Sequence, residues 1–176
     1  VSMRVVSVVF LSLLVALVSG CGKSEEEKLF HQQLLEKALN DDTKKAGTRF
    51  LAENALREGV VVTESGLQYE ILQAAEGPTP RVLDRVKVRY TGWTVDGEEF
   101  EGSAQKSEQP VFTVKDVIKG WRLALLKMSP GARWKIYLPS ELAYGARSPG
   151  GRVPANSALI FEIELLQILP EEKADK

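Results

Sequence analysis

The chain has 176 residues, 23 Lys and Arg against 24 Asp and Glu, a net charge of −1 and 44% hydrophobic residues, which suits one folding domain with its own core. Near-neutrality supplies no broad basic surface and argues against nucleic acid as a partner. One Cys and one His exclude an internal disulfide, a thiolate zinc site and any multi-histidine metal site, so neither metal nor cofactor is expected. A catalytic Ser/His or Cys/His pair would have to use His31, which lies in a charged helical stretch far along the chain from the other informative residues.

Residues 1–20 carry no acid and a single base, Arg4, ahead of an apolar run from Val5 to Val18 broken only by Ser7 and Ser12. At about 1.5 Å per residue this run spans roughly 21 Å, short of the ~30 Å hydrocarbon core. It fits the apolar region of a signal peptide better than a membrane span. Val18-Ser19-Gly20-Cys21 follows, and it resembles the lipobox of bacterial lipoproteins. That resemblance implies cleavage before Cys21, lipidation of Cys21, and an anchor of two or three acyl chains that holds the protein on a membrane. Gly22 in place of Asp after the cysteine is similar to the signal for the outer membrane, facing the periplasm. Residues 21–27 are polar and charged and read as a tether.

A helical N-terminal segment is expected over residues 28–66. Leu29, Phe30, Leu34, Leu35, Ala38 and Leu39 form one apolar cluster, and Phe50, Leu51, Ala55 and Leu56 form a second. Asn40-Asp41-Asp42-Thr43 between them reads as a break and a fresh N-cap. Thirty residues bury little area, which favours a spacer partly packed on the domain over a dimerisation hairpin. A monomer or weak dimer is expected.

Residues 67–170 form the main domain, with 171–176 a charged tail. Alternation replaces the helical period in Leu67-Gln68-Tyr69-Glu70-Ile71-Leu72 and in Val86-Lys87-Val88-Arg89-Tyr90. Asp96-Gly97 marks a hairpin. Trp134, Ile136 and Leu138 alternate with Lys135 and Tyr137, as do Leu159, Phe161, Ile163 and Leu165 with Ile160, Glu162 and Glu164. One helix interrupts the strands, roughly from Lys119 to Met128, with Trp121, Leu125 and either Met128 or Leu126 on one face. The predicted fold is α+β: a bent antiparallel β-sheet wrapped on one short α-helix.

Four clusters stand out: Tyr90-Thr91-Gly92 with Asp96-Gly97 and Phe100; Val117-Ile118-Lys119-Gly120-Trp121; Leu142-Ala143-Tyr144-Gly145; and Val153-Pro154-Ala155-Asn156 leading to Leu159-Ile160-Phe161. They place large aromatics beside glycines and loops with few titratable groups, the chemistry of an apolar pocket with one or two phenolic hydroxyls. Taken singly, Trp121, Phe100 and Phe161 read as ordinary core, and Tyr90 and Tyr144 as internally satisfied phenols. In order and spacing the clusters resemble the FKBP-type peptidyl-prolyl cis-trans isomerases. Phe50-Leu51-Ala52-Glu53-Asn54-Ala55, Gly59-Val60 and Ser65-Gly66-Leu67-Gln68-Tyr69 are similar to the bacterial macrophage-infectivity-potentiator branch.

The resemblance implies a pocket floored by Trp121, walled by Tyr90, Phe100, Phe112, Val117, Ile118, Val153 and Phe161, with Tyr144 and Glu101 at its rim. It also implies proline-containing polypeptides as substrates, macrolide inhibitors as ligands and a role in folding exported proteins. Three features depart from the family pattern. Glu101 stands where Asp is usual and is also open to pairing with Lys106 or Arg152; Arg152 replaces an apolar residue; and Pro149-Gly150-Gly151 alters the loop over the pocket. These departures motivate the alternative of a pocket-bearing chaperone or binding module with little isomerase activity.

Overall fold

The computed structural model describes residues 24–39 and 41–169. The leader, Cys21 and the charged tail lie outside the described residues. Helix α1 spans Glu25–Leu39 and α2 spans Asp42–Asn54. Strands follow as β1 (Val61–Val62), β2 (Gln68–Gln73), β3 (Arg85–Thr94), β4 (Glu99–Gly102) and β5 (Val111–Thr113). Helix α3 (Lys119–Leu125), β6 (Arg133–Leu138) and β7 (Leu159–Leu169) complete the domain. Single 3₁₀ turns at Val114–Asp116 and Ser140–Leu142 precede α3 and the long loop before β7.

The described strands make one antiparallel sheet in the order β1-β2-β6-β7-β3-β4, with β5 also paired to β3. Bulges at Ile71/Gln73, Lys87/Val88 and Gly92/Trp93 bend the strands, which is what an extra residue in one strand does. The alternation read from the sequence is observed in β3 and in β7 from Phe161 to Leu165, whereas Gln68, Tyr137 and Ile160 on the alternate face are buried too and Ile71 and Leu72 are exposed. Val86, Val88 and Tyr90 face the core together with Leu159, Phe161, Ile163 and Leu165. The opposite face carries charge pairs between strands, Arg89 to Glu164 at 2.6 Å and Arg133 to Glu162 at 3.7 Å. Gly97, in the left-handed region at φ +83°, closes the expected β3–β4 hairpin, its N–H bonded to the Thr94 carbonyl at 3.0 Å.

Helix α3 fills the concave face. Trp121, Ala124 and Leu125 point inward, and Met128 rather than Leu126 completes the stripe. The helix is one turn shorter than expected: after Leu125 the chain tightens, with Lys127 and Met128 N–H groups bonded to the Ala124 and Leu125 carbonyls. Ser129-Pro130 follows, and a residue before proline is pushed away from helical geometry. Gly120 lets α3 lie close to β6, since a Cβ there would stand 2.3 Å from Leu138 Cδ2.

The two N-terminal helices differ sharply. Leu29, Phe30, Leu34 and Leu35 of α1 are all exposed. Helix α2, by contrast, packs on the domain as the expected partly packed segment. Gly47 approaches Ala158 so closely that a Cβ would sit 2.8 Å from the alanine Cβ, and Phe50 lies against Tyr137. Asn54 donates to Gln68 at 2.8 Å, and Gln68 donates to the Leu51 carbonyl at 2.9 Å. Arg57 bonds Tyr137 Oη at 3.0 Å and Glu70 at 2.9 Å, and Tyr137 donates to Glu70 at 2.6 Å. Asp41 caps α2 as expected, accepting from the Thr43 N–H at 2.8 Å. Two boundaries shift: α1 begins inside the expected tether, and β1 falls inside the expected helical segment. Gly59 and the extended Val60-Val61-Val62 run end helical structure there.

Candidate functional site

Between α3 and the sheet lies a cavity of about 270 Å³. Its floor is the indole of Trp121, buried in the first turns of α3. Three rings stand perpendicular to it: Tyr90 at 4.9 Å and 82°, Phe112 at 5.9 Å and 88°, and Phe161 at 5.4 Å and 90°. Edge-to-face packing is the favoured arrangement for such rings and fixes the indole plane from three sides. The buried indole N–H has no hydrogen-bond acceptor among the described residues.

The strands place the walls. Tyr90 comes from β3, Phe112 from β5, which pairs with β3 at Val86, and Phe161 from the first residues of β7. Val117 and Ile118 occupy the link from the 3₁₀ turn into α3, and Ile118 is the N-cap of that helix. Tyr144 follows the Ser140–Leu142 turn and closes the rim.

Of the expected pocket residues, Tyr90, Glu101, Phe112, Val117, Ile118, Trp121, Tyr144 and Phe161 all line the cavity. Phe100 and Val153 do not. The Phe100 ring stands behind Phe161, at 5.7 Å and 83°, and the two rings close over Gly92, where a Cβ would come within 2.8 Å of either. Val153 is 3% exposed and packs in the core cluster beneath its loop. Both support the walls from outside. Asp116, which the sequence did not single out, lines the cavity because the 3₁₀ turn ends on it.

The polar groups gather on one side. Tyr90 donates to Glu101 Oε1 at 2.5 Å, so Glu101 pairs with a phenol of the cavity and not with Lys106 or Arg152. Arg152 instead reaches Glu98 at 3.4 Å and the Glu99 carbonyl at 3.2 Å. Burial, and then the Glu101 hydrogen bond, push the Tyr90 phenol well above its usual range. Burial and the Glu101 charge raise Tyr144 as well. Both phenols are therefore neutral hydrogen-bonding groups at physiological pH. The Tyr90 backbone is held by fully buried Ser103, whose Oγ accepts from the Tyr90 N–H at 3.0 Å and donates to Gln109 at 2.8 Å. Nothing in the sequence pattern marks Ser103, since a lone serine after a short strand reads as loop.

Among the described residues no three His, Cys, Asp or Glu side chains converge to hold a metal ion. The arrangement can seat an apolar ring on the indole and offer hydroxyls to a carbonyl. A bent antiparallel sheet closed on one helix, with an aromatic well between them, has the concave, mostly apolar geometry of a small-ligand site.

Comparison with known proteins agrees. The pattern of the FKBP-type peptidyl-prolyl cis-trans isomerase family matches residues 77–166, and that of the domain amino terminal to FKBP-type peptidyl-prolyl isomerase matches residues 20–71. The chain belongs to the FKBP-type peptidyl-prolyl cis-trans isomerase family. An FKBP-type 22 kDa peptidyl-prolyl cis-trans isomerase of Escherichia coli is 47% identical over 123 residues, 70% of this chain and 60% of its own. The outer membrane protein MIP of Legionella longbeachae is 39% identical over 145 residues, 79% of this chain and 62% of its own. The crystal structure of FkpA from Escherichia coli superposes with a TM-score of 0.72 at 32% identity, covering 85% of this chain and 75% of that one. The chain spans about half to three fifths of the length of the first curated relatives it matches.

Proposed function

We propose that this chain catalyses cis–trans isomerisation of X-Pro peptide bonds in exported polypeptides. The observation that carries the reading is the Trp121 floor with three perpendicular rings and the Tyr144 hydroxyl at its rim. The barrier to rotation, about 18–20 kcal/mol, comes from amide resonance. A planar amide is more dipolar than a twisted one, so transfer from water into an apolar well raises the ground state more than the transition state. The proline ring sits on the Trp121 indole. Tyr144 and the backbone at Ile118 hold the flanking carbonyls in the rotated geometry. No bond is made to the protein and no proton moves. Uncatalysed rotation takes tens to hundreds of seconds, slow enough that such a site matters to folding chains. The apolar walls favour an apolar X, and the same well is the site a macrolide inhibitor would occupy.

The setting is the bacterial cell envelope, with Cys21 lipidated after removal of residues 1–20 and the domain facing the periplasm from the outer membrane. Supporting this are the leader and lipobox-like sequence and the similarity to a protein named outer membrane protein MIP. The test is the cis-to-trans rate of an apolar-X-Pro tetrapeptide with the full chain, alongside Tyr144→Phe. Acceleration weakened in the variant supports an enzyme acting through this cavity. No acceleration by a folded chain refutes the reading and leaves a binding module. For the anchor, Cys21→Ser is expected to release the protein from the membrane fraction; a variant still retained there refutes lipidation at this residue.

A further inference from the structure

The chain between Tyr144 and β7 leaves the sheet as a long loop whose feet meet at one hydrogen bond, from the Asn156 N–H to the Gly145 carbonyl at 2.7 Å. Gly145 directly follows Tyr144, so the geometry of this neck sets where the Tyr144 ring stands. Both neck residues are left-handed, Gly145 at φ +61° and Asn156 at φ +62°. Asn156 is the one non-glycine residue with positive φ among the described residues, and Asn tolerates that region better than most.

The neck is gripped from outside the loop. Asn156 Nδ2 donates to Asp41 Oδ2 at 3.1 Å, while Asp41 Oδ1 accepts the Thr43 N–H at 2.8 Å. One carboxylate thus caps α2 and holds the foot of the pocket loop. These two bonds, the one from Asn156 foremost, also keep Asp41 below the usual carboxylate range. The first turn of α2 makes a second attachment nearby. Lys44 Nζ donates to Ser140 Oγ at 2.9 Å and pairs with the Glu141 carboxylate, on the 3₁₀ turn that leads into Tyr144. The start of α2 therefore holds the chain on both sides of Tyr144.

We propose that Asp41 and Asn156 form a latch through which the start of α2 positions the pocket loop and Tyr144, so that Asp41 is a positioning residue for prolyl turnover although it does not line the cavity. The effect on turnover rests on the isomerase reading above; the effect on the loop rests on its geometry alone.

The experiment uses the full chain and two readouts: kcat/KM on an apolar-X-Pro tetrapeptide, and the rate of trypsin cleavage after exposed Arg147 and Arg152, followed by mass spectrometry. Asn156→Asp keeps the side-chain shape and tolerates positive φ, but faces Asp41 with a second carboxylate. Cleavage is expected to rise about tenfold and kcat/KM to fall about three- to tenfold, with circular dichroism unchanged. The double variant Asp41→Asn with Asn156→Asp reverses donor and acceptor. The introduced amide still caps Thr43 through its oxygen and now donates to the introduced carboxylate, and both readouts are expected to return to within about twofold of the parent. Asp41→Ser, which caps α2 but is too short to reach Asn156, is expected to repeat the single-variant defects and serves if Asn156→Asp does not fold. Folded variants with unchanged cleavage and turnover, or defects that the double variant does not rescue, overturn the latch. If the parent chain shows no turnover the isomerase reading fails, and the cleavage readout still decides the latch.

Discussion

Replacing Gly120 with Ala sets two effects of known size against each other. In an isolated helix the change is favourable by up to ~1 kcal/mol, because alanine loses less backbone freedom. In this protein the new Cβ would lie 2.3 Å from Leu138 Cδ2 and 2.6 Å from Leu138 Cδ1. Ordinary carbon contacts begin near 3.5 Å, so the helix or the leucine must move by about 1.2 Å. Leu138 is fully buried in β6 and cannot swing into solvent, which leaves α3 to shift. Overpacking of this kind costs about 1–3 kcal/mol, so the net change is a loss of roughly 1 kcal/mol, or about 4 °C in Tm. The next residue is Trp121, and displacing a positioned group by about 1 Å lowers turnover by up to ~100-fold. Urea unfolding and tetrapeptide isomerisation of the Gly120→Ala chain measure both. A variant that is more stable than the parent and equally active would refute the argument that close approach of α3 to β6 sets the cavity floor.

Tyr144→Phe is expected to lower kcat/KM by about five- to tenfold with circular dichroism unchanged, the effect of one hydrogen bond to a rotating amide; an unaltered kcat/KM would remove the hydroxyl from the mechanism. Turnover is expected to be flat from pH 6 to 8, since Tyr90 and Tyr144 are both raised and stay neutral there; a profile following a group near 6.5 would contradict a mechanism without proton transfer. Burial and then the Glu70 bond push the Tyr137 phenol up to about 12. A raised folded pKa means its contribution is fully present below the ordinary phenol value near 10 and is lost as pH rises toward 12, so urea midpoints should fall through that window, and less steeply in Tyr137→Phe. Removing residues 1–40 should leave the urea midpoint nearly unchanged, whereas removing residues 1–57 uncovers Tyr137 and Gln68 and should destabilise the domain by at least ~3 kcal/mol; equal stability of the two truncations would show that α2 is only a spacer.

The placement of α2 changes what counts as the domain. Its contacts from Lys44, Gly47, Phe50 and Asn54 run to Ser140, Ala158, Tyr137 and Gln68, which lie on the 3₁₀ turn, at the foot of the pocket loop and on two strands. The unit that supports the cavity therefore includes α2, ahead of the start at residue 67 expected from the change in periodicity. Periodicity registers the switch from helix to strand and carries no record of which helix packs on which strand.

Alternation alone determined the strands that matter most. A strand with one face on a core must place apolar residues at every second position, so Val86-Val88-Tyr90 and Leu159-Phe161-Ile163-Leu165 were readable without coordinates. The helix carrying Trp121 and the Asp96-Gly97 hairpin were equally legible, because local geometry dictates both. Most of the cavity followed from the family resemblance that the order of the aromatic clusters carries. What the sequence did not carry is which side of a neighbour each side chain meets. Phe100 and Val153 have the apolar character of lining residues, yet the strand bend at Gly92 and the turn of the pocket loop set them behind the walls. Asp116 and Ser103 are unremarkable in sequence and acquire roles because a 3₁₀ turn and the end of β4 bring them to the cavity and to the Tyr90 backbone. The pairing of Asp41 with Asn156, 115 residues apart, belongs wholly to the tertiary structure. Short-range patterns fix backbone conformation because their energies arise within one turn or one strand, whereas the partners of a polar side chain depend on how distant segments pack, and only the closed fold decides that.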